Sequence, residues 1–221
     1  MCPVTAQDLV RALPDVATLR RRCRALAMLD AILSPDEEDR YYGYNTSWGP
    51  DSEIAEMSNG SGDEFHIVFG PAGVFVRGFD HESVMSPARN DEELWPGLAD
   101  DVPAAFTALL DEPAFSWGAQ FYATVCVWRE TGDDRWHTGD IDYPPGTDPD
   151  GADHLFAILL DDTPASYRRF AEDYYEVVVD PDVVNDVYAL TPLTDVLVKR
   201  LNPGLAVRRL RADIEAIGYP S

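Results

Sequence analysis

The chain has 221 residues, of which 40 are acidic and 17 basic, for a formal net charge of -23. A field of that sign repels phosphate backbones and anionic headgroups, so nucleic acid and membrane surfaces are disfavoured as partners. The composition, 45% hydrophobic and 11% aromatic, is that of a folded globule, and one α+β domain spanning residues 1–221 is expected.

No run of 18 apolar residues occurs, and Met1 to Asp8 lack a charged segment leading into an apolar stretch. The expected setting is therefore cytoplasmic, without a membrane span or secretory signal. Cys2, Cys23 and Cys126 form no C-x-x-C pair. Neither a zinc knuckle nor a redox pair is expected, and Cys126, in an apolar run, reads as a buried hydrophobe.

The N-terminal helices occupy 5–34. Thr5 caps a short one and Asp15 a longer one, in which Val16, Leu19, Cys23, Leu26, Ala27 and Leu33 recur at helical spacing. Ser34-Pro35-Asp36 ends it, and Arg20, Arg21 and Arg24 on its other face are expected to pair with the acidic excess. The sheet region covers 40–142. Tyr41, Tyr42 and Tyr44 precede a turn-rich Asn45 to Pro50, and a weak strand is expected over Glu53 to Met57. Asn59-Gly60 marks a turn. Strands Glu64–Phe69 and Val74–Phe79 follow, and pairing Phe69 with Val74 puts Phe65, Ile67, Phe69, Val74, Val76 and Gly78 on one apolar face. The opposite, mixed face carries Glu64, His66, Val68, Phe75, Arg77 and Phe79, with His66 across from Arg77. One covered face and one mixed face are expected.

Asp100 or Asp101 with Pro103 predicts a helix burying Val102, Phe106, Leu109 and Leu110. A second hairpin, over 119–142, turns at Thr131-Gly132-Asp133-Asp134 with Glu130 opposite Arg135. It places Asp140 and Asp142 on one strand face. Helices are expected over 152–218. Asp150 or Asp153 caps the first, and Thr163-Pro164, Asp180-Pro181 and Thr191-Pro192 start the next three. Leu193, Val196, Leu197 and Leu201 are read as one buried stripe, and Gly218 as the final stop. Strands and helices are segregated, so the expected fold is an antiparallel sheet of about five to six strands, with helices at the N-terminus, one between two hairpins, and a helical C-terminal third.

No phosphate loop, nucleophile elbow, zinc-protease or dinucleotide motif is present, and Lys199 is the one lysine. Asp148-Pro149-Asp150-Gly151-Ala152-Asp153 resembles part of a calcium loop but lacks its complete spacing and terminal Glu. No metal or cofactor is therefore expected. The most suggestive stretch is Asp80-His81-Glu82, where a strand runs out into a loop. Neighbouring residues cannot converge on one point, so a site there needs a distant partner such as His66 or His137.

A small, acidic, motif-free α+β chain is similar in general type to immunity proteins that neutralise toxins by occluding them, a likeness that covers no specific motif. It implies a non-enzymatic interaction module docking on a basic protein. Tyr41, Tyr42, Trp48, Arg77, Asp80, His81 and Glu82 are the expected contact residues. The alternatives are a small hydrolase using His66, Asp80, His81 or His137, and a structural protein whose charge serves solubility.

Overall fold

The computed structural model describes residues 5–118, 120–161 and 163–221; Cys2 lies outside them. The fold is α+β: among the described residues there are eight α-helices, a six-stranded antiparallel sheet and a separate two-stranded sheet. The chain divides into two compact units, each assembled from two stretches. Of the described residues, one comprises Thr5–Pro14 and those within Glu56–Leu160, the other Asp15–Ala55 and those within Asp161–Ser221.

The first unit opens with helix α1, Ala6–Ala12, entered from Thr5, whose N–H donates to the Asp8 carboxylate at 3.3 Å. Strand β2, Ser52–Ser58, is where the chain crosses from the second unit into the first. β3, Glu64–Gly70, and β4, Gly73–Phe79, pair as the alternation predicts, Phe69 with Val74 and His66 with Arg77. β4 also pairs with β7, Val125–Glu130, and β7 with β8, His137–Thr138, where Trp128 opposite His137 keeps the register of the predicted second hairpin. Strand order in the large sheet is β1-β2-β3-β4-β7-β8.

Both faces of β3 and β4 are covered, which corrects the one-sided expectation. The apolar face receives helix α4, Ala152–Leu160. Phe156 stacks on Phe65 with ring centroids 5.2 Å apart, and a Cβ at Gly78 would lie 2.9 Å from Leu155 and Phe156. Glycine at 78 is what lets that helix approach. The mixed face is covered by Phe106, Phe115 and Phe121, whose rings meet Phe75 and His66. Phe106 belongs to no long helix. The predicted helix after Asp100 shrinks to a single turn, α3, Thr107–Leu110; of its expected buried stripe only Phe106 is buried, packed on Phe75 of the sheet, while Val102, Leu109 and Leu110 are half-buried. Phe115 and Phe121 flank a small hairpin of β5, Ser116–Trp117, and β6, Gln120–Phe121. Beyond β8 the chain leaves extended pairing, so Asp140 and Asp142 do not share a strand.

Asp150 is wholly buried and joins two helix starts, accepting from the Ala6 N–H at 2.8 Å and the Ala152 N–H at 3.1 Å. Burial outweighs these bonds and lifts its carboxyl to about 7.

The second unit is built on α2, Val16–Leu33, whose start is capped by Asp15 accepting from the Thr18 N–H at 3.0 Å. β1, Tyr42–Gly49, runs straight through the stretch read as a turn, and the reversal falls later, at Pro50-Asp51, with Asp51 in the left-handed region. Helices α5, Pro164–Tyr174, and α6, Pro181–Tyr188, begin at the predicted prolines. α7, Asp195–Leu201, starts three residues after Thr191, at Thr194, whose hydroxyl accepts from the Leu197 N–H at 3.2 Å. The shift rotates the helix, so Val196 is exposed and Val198 is buried in its place. α8, Arg211–Ile217, stops at left-handed Gly218 as expected. Arg20 and Arg24 reach Glu53 at 3.5 and 2.9 Å, spending their charge within the unit.

The organising group of this unit is Asp30, which has no exposed surface. Its carboxylate accepts from the Tyr167 hydroxyl at 2.6 Å, the Tyr175 hydroxyl at 2.9 Å, and the N–H groups of Tyr41 and Tyr42 at 2.9 and 2.7 Å. Burial raises its carboxyl to about 6 against the pull of those donors.

Removing the Asp30 acceptor strands buried donors, each costing about 1–3 kcal/mol. Asp30→Ala is expected to lower unfolding free energy by about 3 kcal/mol or more, read as the midpoint shift in urea. The pH dependence follows from the raised carboxyls. Asp30 and Asp150 bind their protons more tightly folded than unfolded. The stability this adds is complete below pH about 4 and lost as pH rises through about 6 and 7. Asp150 alone accounts for a loss on the order of 4 kcal/mol. Urea titrations at pH 4 to 8 should therefore slope less steeply in Asp150→Asn than in the parent chain; equal slopes would contradict the assignment.

Candidate functional site

The β3–β4 register places the site. Glu64 pairs with Phe79, so one step further Asp63 stands across from Asp80, where both strands open into loops. Asp63 is fixed by the preceding turn. Asn59 accepts from the Asp63 N–H at 3.1 Å and donates from Nδ2 to Asp63 Oδ2 at 2.6 Å. Only 8% of the Asp63 side chain is exposed.

Two imidazoles meet this carboxylate on its two oxygens. His81 Nδ1 lies 2.6 Å from Oδ1, which also accepts from the His81 N–H at 3.0 Å. His154, in the first turn of α4, places Nε2 3.3 Å from Oδ2. Burial alone would raise the Asp63 carboxyl, but the His81 ring and N–H together with Asn59 hold it below its ordinary value. The same bond raises His81, whose side chain is half-exposed.

Asp80 completes the cluster. Its Oδ1 accepts from the Glu82 and Ser83 N–H groups at 2.8 and 3.1 Å, and its own N–H donates to Thr124 Oγ1 at 3.1 Å. Gly151 packs directly on it, with φ +78; a Cβ there would fall 2.5 Å from Asp80 Oδ2. Asp148 accepts from the Asp153 and His154 N–H groups at 3.1 and 3.0 Å. With Asp150 it caps α4, and Asp153 has no such part. One donor atom each from Asp63, Asp80 and His81 lies within 4.8 Å of the others.

No protein family, curated protein or solved structure matches this chain. Its chemistry is therefore read from the cluster itself. An imidazole oriented at Nδ1 by a sheltered carboxylate, with its other face in solvent, can shuttle a proton or ligate a metal.

The remaining expected residues are placed elsewhere. Glu82 is exposed beside the cluster. His66 is not a partner for His81: it lies on the covered face, its Nδ1 3.2 Å from the Arg77 guanidinium, and burial together with that charge depresses it to about 3. Arg77 is 1% exposed, donating to Glu64 and, at 2.6 Å, to the Tyr122 carbonyl, so it cannot contact a partner. His137 lies 3.4 Å from Asp133. Tyr41, Tyr42 and Trp48 belong to the second unit. Tyr42 is buried and packs with Tyr41 against Phe170, which withdraws it from the expected surface; Tyr41 and Trp48 are partly exposed. The buried Cys126 thiol is pushed well up by burial, as an inert core residue requires.

His81 should titrate above 6.5 by NMR and return toward that value in Asp63→Asn. The sign follows: its contribution to stability is complete below pH 6.5 and is lost as pH rises through the folded pKa. An unchanged titration in the variant would refute the pairing.

Proposed function

We propose that this chain is an acidic interaction module that binds and occludes a basic protein, in the manner of an immunity protein, with Trp117 as its aromatic anchor. The observation that carries the reading is that Trp117 is 76% exposed at the end of β5 while everything beneath it is held. Phe115 and Phe121 root the hairpin in the core, the Ser116 hydroxyl donates to the Glu112 carbonyl at 2.9 Å, and the Tyr122 hydroxyl donates to the Glu92 carboxylate at 2.6 Å. Gln120 Nε2 donates to the Glu92 carbonyl at 2.6 Å. A large ring presented on a fixed base loses little freedom on binding, and aromatic anchors of this kind dominate interface energies.

Charge selects the partner class. Asp91, Glu92 and Glu93 are exposed in the segment the hairpin is tied to, and the chain's net charge of -23 draws in a basic surface from a distance. The same field disfavours nucleic acid and anionic lipid. Among the described residues no helix is long and apolar enough to cross a membrane. A cytoplasmic setting belongs to this reading and agrees with the free thiols of Cys23 and Cys126.

Capture from the native lysate, together with co-expression of the neighbouring gene product, tests it. A stoichiometric basic protein should be retained, its association rate should fall steeply with salt, and Trp117→Ala should weaken the complex at least about tenfold. Salt-insensitive capture, or equal affinity in the variant, would overturn the reading; no partner at all would leave the charge as a solubility feature and likewise overturn it.

A further inference from the structure

We propose that Asp63, Asp80 and His81 form a binding site for a single divalent transition-metal ion of the zinc type. The three residues come from two strand ends brought face to face by the β3–β4 register, and their donor atoms already lie within 4.8 Å of one another. Tetrahedral donors about 2.1 Å from one ion sit about 3.4 Å apart, so closing on a metal asks for contraction on the order of 1 Å at the widest pair. His81 and Asp80 sit at the start of a loop, and 42% of the His81 side chain is exposed, which leaves it room for that adjustment.

The surroundings distinguish this cluster from an ordinary solvated acidic patch. The chain has four histidines, and two of them, His81 and His154, converge on the opposite oxygens of one sheltered carboxylate. A carboxylate needing only a counter-charge would be served by an arginine, as Glu53 is served by Arg24. Asp63 meets imidazoles instead, the one basic side chain that is also a good metal ligand in its neutral form.

The supports around the donors are fixed before any ion arrives. Asn59 holds Asp63 Oδ2, the Glu82 and Ser83 N–H groups hold Asp80 Oδ1, and Asp148 holds the His154 N–H. Such outer bonds orient the ligands and favour the ionised carboxylates that a metal needs. Gly151 acts in the same way by shape. With no side chain it packs against Asp80 Oδ2, and any other residue there would displace the carboxylate.

The donor set names the class of ion. One imidazole with two carboxylates suits zinc, nickel, cobalt or manganese, whereas magnesium and calcium take all-oxygen shells. Three protein donors leave at least one position of a tetrahedral ion for water or an external ligand, the arrangement of an open rather than a closed structural site. The proposal is independent of the partner reading, which rests on Trp117.

Calorimetric titration of the full chain with zinc chloride, and separately with magnesium chloride, tests it. One equivalent of zinc should bind and magnesium should not compete at equal concentration. Zinc affinity should fall at least tenfold in His81→Ala and in Gly151→Ala, and stay unchanged in the Glu37→Gln, Glu38→Gln control, which removes two exposed charges from a turn in the other unit. Circular dichroism confirms that each variant is folded. His81→Ala is the deciding one, because its half-exposed ring can be removed with least disturbance. A second readout is direct: stoichiometric cobalt should broaden the His81 ring signals before those of His137. Zinc affinity unchanged in His81→Ala, heat that tracks total charge in the control, or cobalt broadening spread evenly over the histidines would each overturn the proposal.

Discussion

Asp30 sits deep in α2, cut off from water, and four donors close on its two oxygens. Three of the four donors share Oδ2, and the Tyr167 hydroxyl meets Oδ1. The donors come from the entry to β1 and from the region of α5, so one side chain in α2 ties the nearby start of β1 to a helix 137 residues further along the chain. Without it the Tyr167 hydroxyl and the Tyr42 N–H, both shut away from solvent, would lose this acceptor. With it, a costly buried charge is offset by bonds of the stronger, charge-assisted kind.

The same solution recurs in the other unit. Asp150 joins the starts of α1 and α4, and Asp63 ties a turn, a loop and a helix start together. A chain with 40 acidic and 17 basic residues cannot neutralise its acids pairwise. It uses several of them as interior acceptors for N–H and O–H groups, and confines cation pairing to places such as Glu53 with Arg24 and Asp213 with Arg40.

What was legible in the residues was what depends on local period and local chemistry. The β3–β4 register followed from alternation of large apolar side chains about one tight turn, and helix starts followed from a capping residue before proline. The failures share a cause. Val102, Phe106 and Leu109 have helical spacing, yet Phe106 is claimed by Phe75 of the sheet, a demand that no local pattern announces. Thr46 and Trp48 sit among turn formers, but β-branched and aromatic side chains pair well in a strand, and β1 keeps them. The mixed face of β3–β4 looked half solvated because its cover, Phe115 and Phe121, comes from some forty residues further along. For the site, Asp80 and His81 were visible and their partners were not. The signal for Asp63 was nonetheless present, since the register read from Phe69 and Val74 needs only one more step to set it opposite Asp80. His154 had no such signal, being brought in by the packing of α4 on Gly78.

Because neither unit is a continuous stretch of chain, the order in which a ribosome releases them matters. The first unit has all its residues once Leu160 has emerged, whereas the second must wait for Asp161–Ser221, holding α2 and β1 without their helical complement until then. During that interval the Asp30 carboxylate has its Tyr41 and Tyr42 donors but neither tyrosine hydroxyl. The half-made unit therefore exposes the apolar side of α2 together with an undersatisfied acid until α5 to α8 arrive. A chain cut directly after Leu160 would carry every residue of the first unit and lack α5 to α8 of the second.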